Sequence, residues 1–178
     1  LTIAINNARQ IGLALLEFEA EYGKFPDPST IAAVQAKTAS NLDLGITSSN
    51  EFFRQLIAAG LVSNERLFYA KIDGTRMPDG VIGKGEALKT GECGFTYFVG
   101  AKSTDKPDRP VLMTPMIPGT NRFDPKKFDG IAIVWKRDGS HAFYPIGAGG
   151  HAILEGRNLM DPHHAIWDGH PPVIAWPE

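Results

Sequence analysis

Residues 1–25, LTIAINNARQIGLALLEFEAEYGKF, decide the architecture. They read as one amphipathic helix that stops at Phe25-Pro26, because the residue before a proline is pushed out of helical dihedrals. Ile3, Asn7, Ile11, Leu15, Phe18 and Tyr22 recur at spacings of three and four, with Ala8 and Ala14 beside them, which places them on one stripe. Arg9, Glu17, Glu19 and Glu21 largely avoid that stripe. Leu13 and Leu16 widen the apolar surface past what a helix packed on one side needs, so a second contact face is expected there. The reading is a spine helix, and a chain that opens on Leu rather than Met reads as trimmed at that end.

After the spine, Pro26 to Thr30 is a turn in which Asp27 or Ser29 can satisfy the orphan amides of a following helix, Ile31 to Ala39. A clearer helix runs from Glu51 to Ala59. It is capped by Ser48, Ser49 or Asn50, with Phe52, Phe53, Leu56 and Ile57 facing the core and Gly60 ending it. Asn64 to Lys71 is compatible with a strand or with a tail of the helical layer. Asp73 to Gly91, with Asp73-Gly74, Pro78-Asp79-Gly80 and Gly83-Lys84-Gly85 as turn signals, reads as a long surface loop.

Strands follow. Gly94 to Ala101 alternates, with Phe95, Tyr97 and Val99 on one face and Thr96 and Phe98 on the other, and Val111 to Met113 is again extended. Ile131 to Lys136 and His141 to Ile146 flank Arg137-Asp138-Gly139-Ser140, a hairpin signature because Asp-Gly accepts the positive φ of a tight turn. His151 to Glu178 reads as an irregular tail held to the sheet by Trp167 and Trp176. Helices before strands argue for a single α+β domain over 1–178 with an antiparallel sheet. Its segments are the spine (1–25), short helices and loop (26–91), sheet (92–150) and tail (151–178).

The 178 residues carry 18 Lys and Arg against 20 Asp and Glu, with no basic block, so a nucleic-acid footprint is missing. No run approaches the roughly 20 apolar residues of a membrane span, and no charged-then-apolar leader is present. Cys93, the one cysteine, reads as a buried small hydrophobe rather than a nucleophile. In the tail, Asp161, His163, His164, Asp168 and His170 concentrate imidazole and carboxylate. The candidate metal ligands are Asp161, His163, Asp168 and His170; their spacing matches no HExxH or zinc-finger pattern, so surface histidines are the favoured reading. Calcium would use Asp161, Asp168 and backbone carbonyls. No enzyme signature is present: Asp138, Ser140 and His141 sit in one turn and point apart, and no nucleophile elbow exists.

Asn7 to Leu15, followed by Glu19-Ala20-Glu21-Tyr22-Gly23-Lys24-Phe25-Pro26, resembles the second half of a prepilin helix and its exit. Ser49 to Leu56 with Ala58-Ala59-Gly60, and Phe123-Asp124-Pro125 with Phe128-Asp129-Gly130, are similar to stretches of type IV pilin-like proteins, including type II secretion pseudopilins. The resemblance implies a pilin-like fold and a structural role without catalysis, in a subunit that is membrane-anchored by a preceding apolar half-helix before it enters a filament. It implies as partners other pilin or pseudopilin subunits and their assembly machinery, at the bacterial cell surface or the periplasmic face of the inner membrane. Major pseudopilins bind calcium in a C-terminal aspartate loop, where this tail has a histidine-bearing pattern instead. The assembly interface expected on the spine is Ile3, Ile5, Leu13 and Leu16. The rival readings are a minor-pilin or adhesin-like module that takes a host or extracellular ligand through Asp73 to Gly91 and the tail, and a metal-dependent enzyme using the tail histidines.

Overall fold

The structure is a computed structural model that describes residues 2–83 and 86–178; Leu1 and the Lys84-Gly85 part of the expected turn lie outside them. Helix α1 spans Thr2–Tyr22. It ends before the proline takes effect: Gly23 adopts φ +83°, a left-handed conformation that costs glycine little, and its N–H closes on the Glu19 carbonyl at 2.8 Å. The buried stripe runs through Ala4, Ala8, Ile11, Leu15 and Phe18, with Ala14 at its side. Ile3, placed on that stripe by its spacing, is instead 59% exposed. A period of 3.6 allows a step of three or four residues, and packing selects the small Ala4 over the neighbouring isoleucine. Asn7 is half-buried because its amide donates to the carbonyls of Arg66 and Tyr69 at 3.2 and 2.9 Å.

Asp27 caps a 3-10 turn, Pro28–Thr30, by accepting from the Ser29 and Thr30 N–H groups, and α2, Ile31–Thr38, follows. Ser48 accepts the Glu51 N–H at 3.2 Å and starts α3, Ser49–Ala58. Phe52, Phe53, Leu56 and Ile57 are buried as their spacing requires, but so are Ser49, Asn50, Arg54 and Gln55. This helix is covered all round, and its polar residues are satisfied by the chain. Ser49 donates to the Phe95 carbonyl at 2.8 Å, and Gln55 accepts from Thr30 Oγ1 at 2.6 Å. Glu65–Phe68 resolves as a 3-10 helix packed on α1. The loop after it is not wholly superficial: Ala87 and Leu88 are fully buried, because Arg54 and Asn50 of α3 hold their carbonyls.

The sheet comprises β1 (Thr96–Val99), β2 (Pro110–Met113), β3 (Ile131–Lys136) and β4 (His141–Pro145). A small hairpin, β5 (Ile153–Leu154) with β6 (Arg157–Asn158), precedes β7 (Val173–Ala175). The five-stranded order is β4-β3-β2-β1-β7, antiparallel throughout. The tail is therefore not irregular. It returns to pair Ala175, Ile174 and Val173 with Tyr97, Phe98 and Val99, closing an edge whose buried amides would otherwise lack partners. The β3–β4 hairpin forms as the Asp-Gly signal predicts, although only Gly139 takes positive φ, with Asp138 Oδ1 accepting the Ser140 N–H at 2.9 Å.

Both faces of the central strands β1, β2 and β3 are buried. Tyr97, Val99, Ile133 and Trp135 join the helices in one core, while Phe98, Met113, Ala132 and Val134 meet Leu159, Met160 and Trp167 of the tail in another. A register shift between Pro110 and Leu112 lets consecutive Val111 and Leu112 both enter the helix-side core. The Tyr97 hydroxyl donates to the Pro26 carbonyl at 2.6 Å, pinning the exit of α1 to the sheet. Among the described residues no helix is long and apolar enough to cross a membrane.

Candidate functional site

The face of α1 turned away from the core carries apolar side chains that the described residues leave partly or largely uncovered. Leu13 is 61% and Leu16 37% exposed, and Ile3 lies outward nearer the start of the helix. Ile5, expected with them, is half-buried against the helix-side core and offers less to a partner. Beside Leu13 and Leu16, an open groove of about 250 Å³ runs between α1 and the β3–β4 turn, lined also by Gly12, Trp135, Lys136 and Gly139. At Gly12 a Cβ would meet nothing within 4 Å. Trp135 is buried beneath the groove, and its indole N–H has no acceptor among the described residues. One turn on from Leu16, Glu19 Oε2 is likewise buried without a donor among them; burial pushes this carboxyl up, against the pull of Arg137. The exposed leucines beside an open groove suit an apolar partner surface better than bulk water.

The tail candidates do not converge. Asp161 Oδ1 accepts the His163 N–H at 2.9 Å, its other oxygen faces Arg157 at 3.7 Å, and Asp168 pairs with Lys106 at 3.0 Å. His163 and His170 are exposed, while His164 is buried with Nδ1 accepting the Ile166 N–H at 3.1 Å. Density in sequence was spent on local turns rather than on a common centre. A different set, Glu65, Asp79 and Glu92, does come together, and no spacing rule links these residues along the chain.

Cys93 is fully buried between Ser49 and Phe95, and burial pushes its thiol up to about 11. The folded protein is expected to leave a disulfide reagent such as DTNB unreacted at pH 8 and to release one equivalent of thiolate only on unfolding in guanidinium. Fast reaction in buffer would place the thiol at the surface.

No protein-family model, no curated protein and no solved structure matches this chain.

Proposed function

We propose that this chain is a pilin-like structural subunit of a type IV pilus or type II secretion pseudopilus, acting by docking copies of itself along the outward face of α1. The observation that carries the reading is the uncovered edge Ile3, Leu13 and Leu16 on an N-terminal helix whose opposite face is fully packed. An N-terminal helix laid on an antiparallel sheet, with a short helical layer between them in sequence, supports it. The sequence resemblance supplies the family. A second copy suits the groove because a neighbouring helix brings apolar side chains for Leu13 and Leu16. Leu13 and Leu16 lie outside the two hydrophobic cores, so assembly and stability are separable by substitution there.

Burying an exposed leucine contributes about 1.5–3 kcal/mol, and Leu13 and Leu16 together leave about one leucine's surface to bury, so losing both from one interface weakens docking by about 10–100-fold. Leu13→Asp with Leu16→Asp is therefore expected to remove the protein from the sheared surface-filament fraction of cells that make it. Its thermal midpoint should stay within about 3 °C, because both side chains are already exposed. Normal incorporation of a folded double variant, or absence of the wild-type chain from any surface filament, overturns the assignment.

A further inference from the structure

The long loop that follows the Glu65–Phe68 helix gathers three carboxylates from distant parts of the chain. Glu65 is fully buried, with Oε1 accepting the Gly80 N–H at 2.7 Å and Oε2 the Leu88 N–H at 3.0 Å. Asp79, more exposed, accepts the Val81 N–H through Oδ1 at 2.8 Å. Glu92 is fully buried, and its Oε2 accepts the Lys89 N–H at 2.9 Å. One oxygen from each carboxylate lies within 4.8 Å of the other two.

A second observation separates this cluster from an ordinary acidic surface. Glu92 Oε1 is buried and accepts no hydrogen bond. The nearest cation, the Nη2 of the largely exposed Arg76, stands off at 3.4 Å. Lys89 is committed to Asp79 at 3.0 Å and to Glu86, and Arg54 turns its guanidinium on the carbonyls of Asp43, Ala87 and Leu88. Glu65 forms no ion pair among the described residues. Among the described residues, buried Glu65 therefore has no cationic partner, and Glu92 Oε1 has only the long contact to Arg76.

We propose that Glu65, Asp79 and Glu92 hold one calcium ion, which fastens the loop 73–91 to the helical layer. All three ligands are hard oxygens, which suits calcium and excludes the nitrogen and sulfur donors that zinc prefers. Ligand number selects further: magnesium keeps several waters and is usually held by one or two carboxylates, whereas three carboxylates suit calcium. This site lies outside the tail and is independent of the docking face on α1. Its failure would leave the assembly reading untouched.

The test is calorimetric titration of EDTA-stripped whole chain with CaCl2, with MgCl2 in parallel, and a thermal melt at each end point. One calcium is expected to bind, with a dissociation constant of about 10⁻⁴–10⁻³ M and magnesium at least about tenfold weaker. About 10 mM calcium should raise the midpoint by about 3–8 °C. Asp79→Asn keeps the oxygen that accepts from Val81, so it should fold normally, keep the calcium-free midpoint within about 2 °C and lose at least about tenfold in affinity. Glu92→Gln should behave alike in affinity, and Asp168→Asn in the tail should bind as wild type. The proposal fails if the stripped protein gives no calcium heat or if both cluster variants bind unchanged. It also fails if Glu92→Gln raises the midpoint with no calcium response in either protein, since the carboxylates would then share a proton.

Discussion

Trp167→Ala is expected to lower stability by about 3–5 kcal/mol, the range for deleting a fully buried aromatic ring whose site cannot collapse. The ring meets Phe98 of β1 edge to face at 5.2 Å, and the Arg109 guanidinium stands over it at 5.5 Å. Its indole N–H donates to the Leu159 carbonyl at 2.7 Å, so truncation also orphans a buried acceptor. For a chain of this length the loss corresponds to a midpoint fall on the order of 10 °C in a thermal melt. The damage should be directional. Trp167 covers the sheet face from which the tail runs on to β7, so amide protection at Val173–Ala175 is expected to fall before protection in α1. Trp176→Ala is the comparison: that ring is only half-buried, with one bond to the Thr120 carbonyl at 2.8 Å, and should cost about 1–2 kcal/mol. Equal effects from the two substitutions would mean that the tail is not anchored through the tail-side core.

The two tryptophans also show where sequence stopped being informative. That they hold the tail follows from composition, because large rings in an irregular stretch must be buried somewhere. Which of them matters follows only from the register of β1, whose Phe98 faces the tail while Tyr97 faces the helices. Elements with local causes were legible: Asp27 and Ser48 as caps, Gly60 as a terminator, Asp138-Gly139 as a hairpin turn. Elements with distant causes were not. Val173–Ala175 is three residues between prolines, below any periodicity, and becomes a strand only because β1 offers an edge. The proposed docking face was half legible. Leu13 and Leu16 stood out as surplus beyond the packed stripe, whereas Trp135 enters the groove through sheet pairing that no helix pattern contains. The tail histidines and aspartates, close in sequence, are separated by the turns they make.

Arg54 is the sharpest case of a distant cause, and its removal should have the second large effect on stability. On a helix, Glu51-Phe52-Phe53-Arg54 would ordinarily put the arginine in water; here Arg54 is only 8% exposed. Its guanidinium spans three carbonyls, Nε to Ala87 at 2.8 Å, Nη1 to Asp43 at 3.2 Å and Nη2 to Leu88 at 3.1 Å, so one side chain ties α3 to two loops. Bonds from a charged donor contribute about 1.5–3 kcal/mol each before cooperativity, while the desolvation of the guanidinium offsets part of the sum. Arg54→Met keeps the apolar stem and removes all donors. The Leu88 carbonyl retains Asn50 at 3.0 Å, but those of Ala87 and Asp43 lose the donor that Arg54 supplies. A net loss of about 3 kcal/mol is therefore expected in a denaturant titration. Arg54→Lys, with a point charge in place of a planar fork, can reach one or two of the three carbonyls and should fall between Met and wild type. Protection of the Leu88 amide should drop first, because it faces Glu65 inside the same loop. A methionine variant as stable as wild type would show that desolvation cancels the three bonds. In that case burial of Ala87 and Leu88 in the apolar core, rather than the arginine, would be what draws the loop inward.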